Sequence, residues 1–570
     1  MARNIADLID VARGNLPADI VIRSVRVFHL TDGSFETADI AIRDGVIAGV
    51  GQGYSGKTEL DGSGLTAVPG FIDAHVHLES TTVLPQEFAR QVLPCGVTTA
   101  ICDPHELANV VGTEAFAYLY REAKKLPMDL QIHLSSCVPA THLETAGAEI
   151  TSDDLAKWKR LHPEATLAEF MNVPGVLYKD PEVLRKLSLF DRIDGHCPLL
   201  SGKDLNAYIS AGVSNCHESS SLEEAREKLR RGMQIIMREG SAATNFEELL
   251  PLLTVETSFC CSFCTDDRNP LDIHDGGHIN QMVAKALEAG VPPLAAYRAA
   301  SLSSARMAGL WDRGLIAPGQ RADIVLLHDF EHCGISCVIA KGRIVDEKLL
   351  AELSVPREIP FRNTVKLRKV SAKDFPFVHE KNAPVIGLTG GLLLTDFLRM
   401  DTDNDELCRL AVLERHGKNG NIGLGWVHGL GLRTGAIASS VGHDSHNICV
   451  AGRSAEEMAL AVNAIREMQG GFVVAQGEKV TGAVPLPVAG LMSDAPCETV
   501  LEQLRGLMKA VRATGCTLKS PLIQLAFLPL AVIPHLKLTD KGLVDVDRFE
   551  LLSDSVSQAG CLCSREQEGE

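Results

Sequence analysis

The stretch PGFIDAHVHLES, Pro69 to Ser80, decides how the chain folds. An apolar run of strand character ends in two histidines one residue apart. Side chains at i and i+2 of a strand share a face, so His75 and His77 project together from the strand's end. Two imidazoles on one face are half of a metal site if further ligands arrive at neighbouring strand ends. In isolation the same spacing suits a capped strand with one solvated ring.

From residue 69 to about residue 310, short β runs alternate with amphipathic helical ones, the pattern of a parallel sheet with helical crossovers. Eight strand candidates follow one another: GFIDAHVH, GVTTAICDP, DLQIHLSSCV, ATLAEFMNV, DRIDGHCP, GVSNCHE, QIIMREG and FCCSFCTDD. Helical stretches such as SLEEAREKLRRG intervene, where Ser221 and Glu224 are expected to form a capping box. Eight βα units in ~250 residues is the size of a TIM barrel. A doubly wound open sheet is the alternative, but no Gly-rich phosphate fingerprint follows the first strand.

Working outward, ADIVIRSVRVFHLTDGSFETADIAIRDGVIAGVG, from residue 18, alternates apolar and polar residues between Asp-Gly turn signals and reads as antiparallel strands. The same texture returns in GLIAPGQRADIVLLHDFEHCGISCVIAKGRIV, residues 314–345, so the two flanks are expected to pair around an inserted domain. The fold class expected is α/β: a (β/α)8 TIM-like barrel inserted in a small β-sandwich, with an additional C-terminal α/β domain. In residues, 1–68 and 313–350 form the two parts of the sandwich and 69–312 the metal-dependent barrel. Residues 351–380 are a linker, and 381–570 are the C-terminal domain, expected to contribute to the active-site mouth.

Composition narrows the function. The 570 residues carry a formal net charge of −18, which disfavours a nucleic-acid or anionic-membrane surface and is compatible with a neutral or cationic small ligand. The 16 cysteines show no framework spacing and many lie in apolar runs, as expected of reduced thiols in a cytoplasmic protein. Cys261 and Cys264 make a CxxC with no partner pair at zinc-ribbon spacing. The N-terminus lacks a secretory h-region, and the most apolar tract, PLIQLAFLPLAVIPHLKL, is broken by prolines and too short to span a bilayer.

Catalytic residues of a TIM barrel lie at the C-terminal ends of several strands. Polar residues gather there: His75 and His77 after strand one, Glu169 on strand four, His196 after strand five, His217 with Glu218 after strand six, and Asp266 after strand eight. Four imidazoles with two carboxylates suffice for a pair of divalent ions bridged by one carboxylate.

PGFIDAHVH, the lone histidines after strands five and six, and the late Asp resemble the amidohydrolase superfamily. Together with CDPHELANVVG, EFMNVPGVL, DGHCPLLSGKDLNAYISAGVSNCHES, TDDRNP, GGHIN and ASSVGHDSHNI, the set is similar to the bacterial adenine deaminase family. The resemblance runs from about residue 18 through the HDSHN region. It implies two divalent ions per chain, Mn or Fe with Zn admissible. His75, His77, His196, His217 and Asp266 are then ligands, and Glu169 is the bridging carboxylate where other relatives use a lysine. It also implies hydrolytic deamination of adenine to hypoxanthine and ammonia.

On that reading Asp266 is the catalytic base, and Glu218 supplies a proton or hydrogen bond at purine N1 or orients His217. His105 and Glu106, in DPHE after strand two, touch substrate, support the metal shell or cap a helix. His278 is a further substrate-binding candidate. His443, Asp444 and His446 are expected to close over the barrel mouth and bind purine ring nitrogens.

The partners expected are a small-molecule purine and a second copy of the chain, with a dimer favoured, but neither nucleic acid nor membrane. The nearest rival activities are deamination of an N6-substituted purine and cyclic-amide hydrolysis. The zinc deaminases of the cytidine type are set aside, because HLE at 77–79 matches their H-x-E but no P-C-x-x-C follows. A scaffold that has lost its chemistry is disfavoured by ligands at every expected strand end.

Overall fold

The computed structural model describes residues 4–241, 243–353, 359, 361–388 and 394–552. All eight expected strands form, as Phe71–Val76, Val97–Cys102, Asp129–Ile132, Leu167–Phe170, Ile193–Gly195, Asn215–Cys216, Gln234–Arg238 and Cys261–Cys264. Each is joined to the next in parallel, through ladders or through the single bridges Leu134–Leu167 and Ile193–Val213. The parallel bridge Val76–Asp266 returns the eighth strand to the first, so the pairings close a ring. Around that joint His77 N donates to Asp266 O at 3.1 Å, and Asp266 N to His75 O at 2.9 Å.

Helices fill the crossovers, among them Pro85–Val92, Ser152–Leu161, Gly202–Ser210 and Leu222–Arg230. The expected capping box before Leu222 is only half formed. Ser221 accepts the Glu224 amide, but the Glu224 carboxylate turns to the Ser220 amide, the Leu199 amide and buried Lys228. Lys228 is buried without solvent and needs that partner.

The flanking segments meet in one eight-stranded sheet, where Ile324–Leu327 runs antiparallel to Thr66–Pro69. Strand Ala18–Phe28 bends at a bulge centred on Ser24. Its first half pairs with Gly56–Asp61 and its second with Thr66–Ala67. The Asp-Gly signal at 44–45 is a two-residue hairpin with both φ values positive, 49° and 75°, as a type I′ turn requires.

The connector differs from expectation. Glu347–Leu353 is helical, and within 361–380 the residues Val365, Leu367, Val370 and Phe375 are buried against the C-terminal sheet. Their apolar side chains at one- and two-residue gaps gave no clear period, so the segment read as a linker although it packs. Residues 354–358 and 360 of it, and 553–570 of the expected last domain, lie outside the described residues.

The C-terminal region is built on an eight-stranded sheet that is antiparallel except where Ala383–Leu388 meets Ile422–His428. Helix Ala455–Met468 packs on it, capped by Ser454, which accepts the Glu457 amide at 3.2 Å. This region sits on the C-terminal ends of the ring strands. Ser493 N donates to Thr82 O at 2.8 Å, Cys497 N to Glu87 at 3.0 Å, and Asn447 Nδ2 to Thr145 O at 2.9 Å. One apolar cluster runs unbroken from Val83 and Val76 to Leu491, Met492 and Leu528. Among the described residues no helix is long and apolar enough to cross a membrane.

Candidate metal centre

Strand ends one, four, five, six and eight bring His75, His77, Glu169, His196, His217 and Asp266 together. All are buried except His196, which is partly open. Glu169 stands at the middle. Its Oε1 lies 3.3 Å from His77 Nε2 and its Oε2 lies 2.8 Å from His196 Nδ1 and 3.2 Å from His217 Nε2. Each oxygen thus faces a different set of imidazoles, the disposition a bridging carboxylate needs. Asp266 Oδ1 is 3.0 Å from His77 Nε2 and 3.7 Å from His75 Nε2. The two Nε2 atoms of His75 and His77 are 3.2 Å apart. Asp266 has φ +56°, the left-handed region, which turns its carboxylate back over the strand end.

Outer partners fix the rings. His77 Nδ1 donates to the Asp103 carbonyl at 3.0 Å, leaving Nε2 free as a ligand atom. Mixed imidazole and carboxylate donors suit Zn, Fe or Mn and do not choose among them.

The electrostatics follow from burial and crowding. For Asp266, burial favours the neutral acid, but Arg238 and the imidazoles of His77 and His217 together hold it well below the usual carboxylate range. For Glu169, burial is likewise outweighed, by His196, His217 and His77. The carboxylates act back on the rings. Burial opposes charge on His217, yet Glu169 and Asp266 raise it to about 9. His77 and His196 are also raised against burial, His77 by Asp266 and Glu169, and His196 by Glu218 and Glu169. His75 moves the other way, lowered by burial and by the neighbouring His217 and His77.

The ligands other than His75 line a small cavity of about 30 Å³ together with Met171, Glu218, Arg238, Asp267 and, from the C-terminal region, His443, Asp444, Phe527, Leu530 and Ile533. Glu218 is on its wall, but Arg238 contacts both its oxygens and also Asp266. Burial is outweighed by Arg238, His196 and His217, and Glu218 is lowered, hence ionised. In that state it accepts hydrogen bonds, as it does from Arg238.

Arg238 was missed in the sequence. The signal was the Arg in QIIMREG, a strand-end side chain that cannot ligate a cation. Asp103 and Asp267, which lie among donors able to hold an ion, were missed as well.

His105 and Glu106 do reach the cavity, at the start of helix His105–Val111. His443 and Asp444 reach it from the other side, but His446 does not line it, its ring being turned toward Glu106. These side chains face one another across the joint between the two regions, with His443 and Asp444 on the cavity wall and His446 behind it. His278 is corrected outright. Fully buried, its Nε2 lies 3.5 Å from Asp73 and 3.4 Å from Thr265, behind the first and eighth strands. The glycine-led helix start that made it look exposed points it inward.

Comparison with known proteins agrees with this geometry. Residues 66–345 match the amidohydrolase family and residues 394–550 the adenine deaminase C-terminal domain. An adenine deaminase of Brucella anthropi is 50% identical over 561 residues, covering 96% of this chain and 99% of that protein. Adenine deaminase 1 of Rhizobium meliloti is 50% identical over 567 residues, covering 97% and 100%. With strand-end ligands, cavity and C-terminal wall all accounted for within matched segments, the chain belongs to the adenine deaminase family of the amidohydrolases.

Proposed function

We propose that this protein hydrolyses adenine to hypoxanthine and ammonia at the strand-end cluster, with two divalent ions held by His75, His77, Glu169, His196, His217 and Asp266. The observation that carries the reading is Glu169, whose two oxygens face two separate sets of imidazoles. The eight-strand ring is read as a (β/α)8 barrel of the TIM type set in a small β-sandwich, which its parallel pairing and the joined flanks support.

The donors fit such ions: they are buried, mixed N and O, and their carboxylates are ionised. When bound, the ions supply hydroxide at neutral pH by lowering the pKa of water. The residues do the rest. Asp266 takes the proton of the attacking water and returns it to the amine leaving C6. Glu218, kept ionised by Arg238, accepts an N–H of the purine and so orients it. Phe527, Leu530 and Ile533 form an apolar lid that limits bulk water.

The test is ammonia release from adenine, N6-methyladenine and cyclic amides, with chelated protein and protein reloaded with Mn or Fe. Adenine turnover that vanishes on chelation and returns with metal supports the proposal. Unchanged turnover in metal-free protein would overturn it. One observation favours a second substrate. An adjoining, mainly apolar cavity of about 160 Å³, lined by Val441, Phe472, Leu504 and Met508, shares Asp267 and His443 with the metal cavity and would take a small N6 substituent. A kcat/KM for N6-methyladenine exceeding that for adenine would favour it.

Metal uptake is predicted to acidify the solution. With no cation bound, Glu169 and Asp266 hold His217 at about 9, so a proton occupies that ring at pH 7, and His77 and His196 are raised in the same direction. A cation must displace bound protons to reach the lone pairs, releasing about one proton or more per chain. Addition of Mn to chelated, weakly buffered protein at pH 7 shows this directly, and a flat pH trace would refute it. Above about pH 9 the share released from His217 should fade, because that ring is already neutral.

A further inference from the structure

A second group of donors, beside the strand-end cluster, is not used by the reaction above. His105 Nε2, Glu106 Oε1, His443 Nδ1 and Asp444 Oδ1 all lie within 4.8 Å of one another, every residue at most 5% exposed. Two come from the loop after the second ring strand and two from the C-terminal region, over three hundred residues away in sequence. We infer that these four side chains form a third divalent-cation site, which pins the C-terminal region across the mouth of the ring.

The ring orientations support it. His105 Nδ1 lies 3.3 Å from Asp103 Oδ2, a carboxylate that takes its N–H, so the Nε2 lone pair points into the cluster. There it meets Glu106 Oε1 at 3.2 Å and Asp444 Oδ1 at 3.6 Å, and His443 Nδ1 lies 3.8 Å from that same Asp444 oxygen. A ring nitrogen facing two carboxylate oxygens needs a positive charge among them, and a bound cation takes the place of a proton there. Donors around one ion with bonds of about 2.0–2.2 Å are separated by roughly 3–3.6 Å, which the two His105 pairs match, whereas His443 stands closer to Glu106 and would move apart around an ion.

His443 and His446 crowd onto the two Glu106 oxygens. Yet among the described residues neither oxygen accepts a hydrogen bond of acceptable direction, and Asp444 Oδ2 is likewise unpaired. Buried carboxylate oxygens left in this way cost free energy unless a ligand completes them. His446 stands outside the ligand set. Its Nδ1 accepts the Gly442 amide at 3.2 Å, so the neutral ring carries its proton on Nε2, turned to the far oxygen of Glu106. Two imidazoles with two carboxylates favour a first-row transition ion over Mg or Ca. Phe527, stacked on His443 at 4.2 Å between centroids, holds that ring in place.

The experiment counts ions and does not depend on deamination. Chelated full-length protein is reloaded with Mn, desalted and assayed by elemental analysis, alongside a His443→Gln/Asp444→Asn double variant. The expected result is about three ions per wild-type chain and about two in the variant, with the lost ion missing also from Asp444→Asn alone, which keeps its volume should the double variant prove insoluble. Wild-type protein saturating at two, or a folded variant still holding three, would overturn the site.

Discussion

Replacing Asp266 by Asn should lower kcat for adenine by about a thousandfold with the strand-end ions largely retained, within the ~10²–10⁴ range that a positioned general base contributes. Asn keeps the size and an oxygen that can still face His77, where Asp266 Oδ1 stands at 3.0 Å. What it loses is the ability to take a proton. Arg238, now paired only through Glu218, keeps that carboxylate in place. Arg238 and the neighbouring imidazoles hold Asp266 well below the ordinary carboxylate range, so it is ionised at neutral pH. The wild-type rate should therefore fall on the acid side only as protons compete with metal for the imidazoles, not through titration of the base. Steady-state kinetics with a metal count on the same preparation decide the matter. A variant within tenfold of wild type, fully loaded, removes Asp266 from the proton path.

The second large effect is expected at Glu169. Its Oε1 is also 3.4 Å from His105 Nδ1, so this one carboxylate touches four imidazoles, those of His77, His105, His196 and His217. Glu169→Gln preserves the shape but removes the negative charge and places an amide N–H against a ring nitrogen or an ion. Losing a partner that merely supports a ligand typically costs ~10–100-fold in affinity or activity. Loss of the central donor should exceed this, with at least one ion missing and turnover below about 1% at any metal concentration tested. Elemental analysis and ammonia release on the purified variant are the measurements. Full occupancy with near-normal turnover would show that the imidazoles and Asp266 alone suffice.

Much of the fold was legible because the ring is written in local patterns. Eight short β runs were recognisable, five of them carried a candidate ligand at or near the end, and His75, His77, His196 and His217 sit where strand and loop meet. The rest depended on tertiary partners that no local pattern reveals. Arg238 carries no metal-ligand signature, and its role appears only when Glu218 and Asp266 are seen on either side of its guanidinium. His278 follows two glycines as an exposed loop residue would, and is buried because Asp73 and Thr265 stand behind the strand ends. HDSHN could be suspected of closing the mouth, but only the folded structure shows that His443 and His446 meet Glu106 across the joint. The stretch 361–380 failed for a different reason. Its buried valines and leucines are too few to give a period, and they pack because the C-terminal sheet offers a face to cover.

The ring is closed by the backbone of the very residues that carry the ligands, with His77 bonded to the Asp266 carbonyl and the Asp266 amide to the His75 carbonyl. Opening the seam between first and eighth strands therefore pulls His75 and His77 away from Asp266, and losing the ions removes what holds those side chains together. Local opening and metal release become one linked equilibrium. Free cation at about a hundred times its dissociation constant suppresses the open form by ~2.7 kcal/mol. In hydrogen–deuterium exchange, the amides of His77 and Asp266 should slow roughly a hundredfold when metal is added to chelated protein, whereas those of strand Gln234–Arg238, paired on both sides within the sheet, should change little. Equal slowing of both segments would mean that metal stabilises the whole ring and not its seam.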